Sequence, residues 1–485
     1  MTELGGSLED RSLELDAAAM RDLAEAALER VIAHIESLPR QPAWVDTAPA
    51  VAAAKALVEP LPTAATPLAE LLDEIFERHA PASFTTAGPG YLAYIPGGGL
   101  FQSAVADLIA DGINRYTGVF AAAPGLVQLE MNTVRWFCEI VGYPLGAGGI
   151  LTSGGSLANL SAVVAARVAK LGEAFLDGTI YVSDQVHHCV DKAARIAGFP
   201  RANLRTLAAD DRFRLDPAAV ERAIVHDRDR GLRPFLLVAS AGTTNTGAID
   251  PLPELAALAR RHDLWLHVDA AYGGFFALTA RGRAALAGIE EADSVVLDPH
   301  KGLFLPYGTG ALLVRDAAVL KAAHSEFAEY MPALQSDPDL IDPCEVSPEL
   351  SKPFRGLRIW LPLKLHGVEP FRRNLDEKLD LARWITNELR ALEALEILAE
   401  PQLSTVAFAL RAPALPLAEA NRRTRALLDA VNGRRRVHLT GTQLGGRFAI
   451  RISILSFRTH RDRLEACLAD IESALAEQLE ATGQR

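Results

Sequence analysis

Two apolar runs that each break off into small or polar residues constrain this chain more than any other feature. The first reads LWLHVDAAYGGFF from Leu264 to Phe276, the second SVVLDPHKGLFLPYGTG from Ser294 to Gly310, and about one helix of sequence separates them. Short apolar runs bounded by such breaks read as buried strands. A strand, a helix and a second strand imply a parallel pair, and in an open α/β sheet ligands sit beyond the carboxyl ends of the strands. Asp269 closes the first run and Lys301 follows the second, so an acid and an amine are expected at the edge of one cleft.

The same alternation extends on both sides. Further strand candidates are Ile150–Leu151, Ile180–Val182, Phe235–Ala239 and Ala311–Val314, with helical stretches between them. This predicts a largely parallel sheet covered on both faces. Behind it, a helical stretch from Trp360 to about Leu392, broken near Gly367–Pro370, leads into a smaller α+β region. Its strand candidates are Glu396–Leu398, Ser404–Leu410, Val437–Thr440 and Phe448–Ile454, with helices at about Leu417–Val431 and Arg461–Leu479. Ahead of the sheet, residues 1–11 read as disordered. Leu13 to Ile35 has helical spacing, residues 39–66 read as a Pro/Ala-rich linker with one short helix, and a second helix is expected at Pro67–His79 with Thr66 as its N-cap. Gly88 to Gly99 is a glycine-rich loop. The implied division is 1–85, an N-terminal helical segment; 86–365, a large α/β domain; and 366–485, a small C-terminal α+β domain.

Net charge decides what the cleft does not serve. At −12, the chain is a poor partner for nucleic acid or an anionic membrane. No run approaches the length of a transmembrane helix, and the acidic N-terminus has no apolar signal core, so a cytoplasmic location is expected. Cys138, Cys189, Cys344 and Cys467 are far apart and form no CxxC pair, which suggests neither a metal site nor a disulfide framework.

An acid that can pair with a pyridinium nitrogen, plus a lysine whose amine can condense with an aldehyde, is what pyridoxal 5'-phosphate (PLP) needs from a protein. On His267-Val268-Asp269-Ala270-Ala271-Tyr272 and Asp298-Pro299-His300-Lys301, the chain resembles the group II (glutamate/aromatic-L-amino-acid) decarboxylases. The resemblance covers roughly residues 70–460. It implies the PLP-dependent transferase fold type I, with a mainly parallel seven-stranded sheet, and a homodimer with shared active sites. It implies that Lys301 bonds to the cofactor, that Asp269 holds the ring nitrogen and that Ala271 lies against the ring face. His187, in Asp184-Gln185-Val186-His187, would stack on the other face. The turn Gly154-Gly155-Ser156 opens a helix, a setting that favours phosphate. Those three residues are carried over as phosphate contacts, with His300 and Asp298 nearby, although relatives often carry Asn at the latter position. Thr244 would meet the cofactor's 3′-oxygen or the substrate carboxylate. Tyr91, Tyr94, Phe120 and Arg451 would line the substrate side.

The expected reaction is α-decarboxylation of an L-amino acid, aromatic or otherwise apolar. The pattern departs from the family at one point. The loop Ile341 to Arg355 has no tyrosine where relatives carry a proton donor; Pro343 or Val346 stands near that point, and the nearest tyrosine is Tyr330. Loss of that tyrosine is associated with aldehyde synthases, which couple decarboxylation to oxidative deamination, so that outcome or another PLP lyase is a second reading. A third is a PLP-fold binding module without catalysis, against which the retention of both Asp269 and Lys301 argues.

Overall fold

The computed structural model describes residues 13–325 and 340–481. The expectations for residues 1–11 and for Tyr330 fall outside them. Seven strands form the main sheet: β1 (Gly148–Thr152), β2 (Gly178–Ser183), β3 (Leu204–Leu207), β4 (Arg233–Ser240), β5 (Trp265–Asp269), β6 (Ser294–Leu297) and β7 (Gly310–Val314). Their order is β1-β7-β6-β5-β4-β2-β3. Only β7 runs against its neighbours. The other pairs are parallel, so β1 to β6 all deliver their carboxyl ends to one edge.

Every residue of β2, β5, β6 and β7 is buried, as expected of strands covered on two faces. On one face, β5 and β6 pack through Leu266, Val268, Val295 and Leu297 against Val134, Phe137 and Val141 of the helix Pro124–Val141. On the other, Val296 and Leu312 meet Ala158, Ala162 and Ala165 of the helix Gly155–Lys170. Those alanines keep that helix close to the sheet, which matters for the site below.

A second, antiparallel sheet follows, made of β8 (Leu395–Ala399), β9 (Thr405–Leu410), β10 (Thr440–Leu444) and β11 (Arg447–Ser453) in the order β10-β11-β9-β8. Val406, Phe408, Ile450 and Ile452 bury one face against helices Glu369–Ala391, Leu417–Gly433 and Arg461–Ala481.

Four local expectations need correction. The first helix begins at Ala17, where Asp16 caps the amides of Ala18 and Ala19. Thr66 is not an N-cap: Pro67 takes that position without a side-chain bond, and the helix Leu68–Asp73 continues as a π-helical turn to His79. Strand β3 was not expected, because LRTL has no apolar run. Val437–Thr440 joins the second sheet only at Thr440. Its earlier residues are claimed by the glycine-rich loop, His438 N–H donating to Gly90 (2.8 Å) and Leu92 N–H to the His438 carbonyl (3.0 Å).

The helix Ala17–Ser37 buries none of its side chains, and Met20, Leu23, Leu28 and Ile32 are exposed. No helix among the described residues is long and apolar enough to cross a membrane.

Candidate active site

Strands β5 and β6 lie side by side with Asp269 opposite Val296, so the residue that ends β5 and those just past β6 emerge together. Strand β1 ends at the same edge and runs into Ser153-Gly154-Gly155-Ser156. A cavity of about 270 Å³ opens there. Asp269, Ala271, Asp298, His300 and Lys301 line it from β5 and β6. Gly154, Gly155 and Ser156 come from the turn after β1, His187 from the segment after β2, and Thr244 from the loop after β4. The two halves of the opening pattern therefore meet as the strand-end rule requires.

Asp269 is buried, and each of its oxygens accepts one hydrogen bond. Its Oδ1 accepts the Ala271 amide at 3.1 Å and its Oδ2 the Asn159 side-chain amide at 3.2 Å. Lys301 sits in a one-turn helix, Pro299–Gly302, which turns its amine back into the cavity. Burial disfavours the ammonium, but Asp298 at 2.8 Å, with Asp269 further off, outweighs that, and the amine's pKa is raised. The lysine is therefore held as a cation by the carboxylate beside it.

The floor is the start of the helix Gly155–Lys170. Gly154 occupies the N-cap with no side-chain bond, leaving first-turn amides directed at the cavity, where a helix start favours an anion. A side chain would crowd it: a Cβ on Gly155 would come 3.0 Å from Asp298 Oδ2 and 3.3 Å from the Ala271 methyl. Beside it, Asp298 Oδ1 is buried without a protein partner. His300 donates from Nδ1 to the Thr309 carbonyl at 2.5 Å, and burial lowers its pKa. A glycine cradle at a helix start, an amine across from it and a buried carboxylate between strands form a donor set that fits PLP.

His187 Nδ1 accepts the Cys189 amide at 3.4 Å, and burial lowers its pKa. The ring is thus neutral, with its proton on Nε2.

Four expected residues are not on this cavity's wall. Tyr91 is buried and bridges the backbone of His438, against whose ring it packs edge-on at 5.4 Å. Tyr94 is exposed, 6.5 Å from the same ring. Phe120 faces a different groove, shared with Met131, Val134 and Ile341. Arg451 is buried and consumed by neutral acceptors: the carbonyls of Asn245 (2.9 Å), Tyr94 (3.0 Å) and Thr244, and the hydroxyls of Thr440 and Ser453 (both 3.1 Å). It positions the Thr244 loop. In the tyrosine-lacking loop, Pro343 opens a short 3-10 turn, and Val346 is buried in the same apolar cluster as Ala271.

The sequence reading missed Asn159, Cys189, Thr243 and Tyr272 on the wall. Asn159 carried a usable signal: asparagine in a helix interior is disfavoured unless its side chain has its own partner.

Residues 53–411 match the family described as the pyridoxal-dependent decarboxylase conserved domain. An aromatic-L-amino-acid decarboxylase of Bacillus atrophaeus is 34% identical over 471 residues, which is 96% of this chain and 98% of that protein. Among solved structures, Oryza sativa TDC with PLP and tryptamine superposes with a TM-score of 0.90 at 25% identity, covering 96% of this chain and 99% of that one. The fold is shared equally by a 4-hydroxyphenylacetaldehyde synthase of Rhodiola rosea, with a TM-score of 0.88 at 24% identity over 96% of this chain and 99% of that one.

Proposed function

The chain belongs to the pyridoxal-dependent decarboxylase family, and from that premise we propose that its substrates are aromatic L-amino acids. It is a PLP-dependent enzyme that removes the α-carboxylate of an amino acid. One observation supports the reading above others: Asp269 and Lys301 line one cavity whose floor is a glycine turn at a helix start. The aromatic class rests on the similarity to an aromatic-L-amino-acid decarboxylase along nearly the whole of both chains.

Each residue then has a task. The amides after Gly154 take the phosphate, and Ala271 and His187 border the ring. Bound there, PLP supplies an electron sink for the pair left at Cα when CO₂ departs. Asp269 keeps the ring nitrogen protonated: an ion pair near 4 Å at an effective dielectric of about 20 amounts to roughly 4 kcal/mol. Lys301 carries the amine that would bond to the cofactor, and Asp298, 2.8 Å away, holds that amine in place. His187 presents Nε2–H to the cavity and is the group we assign to position the proton source for Cα. Thr244, on a loop fixed by Arg451, offers a hydroxyl to the substrate carboxylate.

We further propose a homodimer, supported by the exposed apolar side of the helix Ala17–Ser37 and by Phe120, which is turned away from its own cavity. In that arrangement Tyr91, Tyr94 and Phe120 serve the substrate side across the interface. The division into 1–85, 86–365 and 366–485 is kept as our reading of the domains. The cytoplasm is our proposed compartment, supported by four cysteines that are all unpaired thiols.

The test is product analysis. The holoenzyme is incubated with L-tryptophan, L-tyrosine, L-phenylalanine and L-glutamate, and CO₂, amine, ammonia and hydrogen peroxide are followed together. CO₂ and the matching amine from an aromatic acid are expected. Turnover of glutamate alone would overturn the substrate class. Ammonia and peroxide in step with CO₂ would point to the synthase outcome that the tyrosine-lacking loop makes worth testing.

A further inference from the structure

Behind Asp269 lies a row of buried polar side chains that the reaction above does not use. Trp265 Nε1–H donates to Ser294 Oγ at 2.8 Å. Ser294 Oγ lies 2.8 Å from His267 Nδ1, and His267 Nε2 lies 2.8 Å from Asn159 Oδ1. The Asn159 amide reaches Asp269 Oδ2 at 3.2 Å and the Gly155 carbonyl at 2.9 Å. Asn159, His267 and Ser294 are each at most 1% exposed, so no water can stand in for a missing partner.

The chemistry of these groups fixes every proton in the row. The Gly155 carbonyl and the Asp269 carboxylate only accept, so the NH₂ of Asn159 must face them and its oxygen must face His267. His267 must then donate from Nε2, which leaves a lone pair on Nδ1. Ser294 fills it with its hydroxyl proton and takes the indole N–H of Trp265 on its oxygen. All the donors point one way, towards Asp269. Burial also keeps His267 uncharged, with its pKa held down to about 4, so the tautomer persists across the neutral range.

We propose that Asn159, His267 and Ser294 form a positioning relay that presents Asp269 to the cofactor ring with its charge and orientation fixed. Asn159 stabilises the carboxylate on one oxygen, the Ala271 amide does so on the other, and lone pairs remain for the ring nitrogen. The same asparagine holds Gly155, so the phosphate cradle and the ring anchor are set by one side chain. The inference rests on the decarboxylase reading, in which Asp269 faces that nitrogen.

Two measurements on the full-length protein test it. In the apo form labelled with ¹⁵N-histidine, with His267→Gln as the assignment control, the His267 nitrogens are expected to show the neutral Nε2–H tautomer. A proton on Nδ1, or on both nitrogens, near neutral pH would overturn the relay. The second measurement is the PLP dissociation constant by equilibrium dialysis, together with the pH midpoint of the visible band of the lysine-bound cofactor. Loss of the hydrogen bond to the Asp269 carboxylate in Asn159→Leu, or of the donor that orients Asn159 in His267→Phe, is expected to weaken PLP binding roughly ten- to a hundredfold. The band midpoint should shift as well, although His187, Asp298 and Lys301, which also face Asp269 and its surroundings, are untouched; Cys189, whose Sγ lies 3.4 Å from the Asn159 amide, loses that contact in Asn159→Leu. His267→Gln, which keeps a donor towards Asn159, should restore most of both, and it carries the test if the Phe variant does not fold. Wild-type capture of PLP with all variants unchanged overturns the relay alone. A wild-type chain that captures no PLP overturns the decarboxylase reading with it.

Discussion

The end of the main sheet and the rim made by the glycine-rich loop are built on different principles. At the sheet end, the acid and the amine proposed for the cofactor stand at a strand terminus and on a one-turn helix just past a strand, and each is held by neighbouring groups. Asp269 takes Asn159 and Ala271, and Lys301 takes Asp298. At the rim, Tyr91 and Tyr94 gather around His438 and hang on loop-to-loop bonds. Among the described residues, the sheet end gathers its acid, amine and glycine turn on one cavity wall, whereas the rim leaves its aromatic groups off that wall. Cofactor chemistry needs a rigid frame, and specificity is drawn from segments that can change without disturbing it.

If that contrast holds, losses should be steep at the sheet end and shallow at the rim. Lys301→Ala should abolish the visible band of the bound cofactor and lower kcat/KM by roughly 10⁴-fold or more, as for other covalent catalysts. Retention of the band would break the comparison at its centre. Asp269→Asn removes about 4 kcal/mol from the ring-nitrogen pair. Steady-state kinetics should therefore show kcat lower by roughly 10²- to 10³-fold, if most of that energy is expressed in the transition state.

The third effect is on stability and involves both regions. His267 at the sheet end and His438 at the rim each have pKa values depressed by burial to about 4. Between pH 6.5 and 4 the unfolded chain takes up protons that the folded chain refuses at these two sites. Stability is therefore full above pH 6.5 and falls as the pH drops through that window, by roughly 3 kcal/mol for each histidine at its lower end. Melting curves of the apo protein from pH 7 to 4 would measure it. His438→Phe should flatten the slope by about its own share, leaving the cofactor affinity near wild type. The smallest effect belongs to Tyr91→Phe, which removes only a hydroxyl lying off the cavity wall and should leave KM for an aromatic substrate within about threefold of wild type, a change of about 0.7 kcal/mol. A tenfold change would mean that the rim reaches the substrate, and sedimentation of the same variant would tell whether it does so through a second copy.

The sheet end was also the part legible in the sequence. Asp269, Lys301, Gly154 and His187 each follow a strand-like run, and parallel strands bring such positions to one edge whatever the loops do. Asn159 escaped notice because it lies one turn inside a helix, where spacing alone marks it as core. At the rim, residue type pointed to a pocket, while backbone pairing sets where the side chains lie within one chain: His438 bonds to Gly90 and Leu92 rather than to the second sheet, and so draws Tyr91 inward. Arg451 looked available as a cation, but five neutral acceptors claim it. Strand β3 could not be read from four residues without an apolar run.

The hydroxyl of Tyr272, three residues past the anchoring carboxylate, is bonded to Ser404 Oγ at 2.8 Å and to Thr405 Oγ1 at 3.2 Å, at the start of β9. With the Arg451 guanidinium gripping the Thr244 carbonyl from β11, it rivets the C-terminal sheet to two walls of the reaction chamber. These bonds oppose any swing of the smaller sheet away from the cavity. Heat should melt both sheets in a single cooperative step, and a cut in the chain between them should not release a vitamin-loaded fragment.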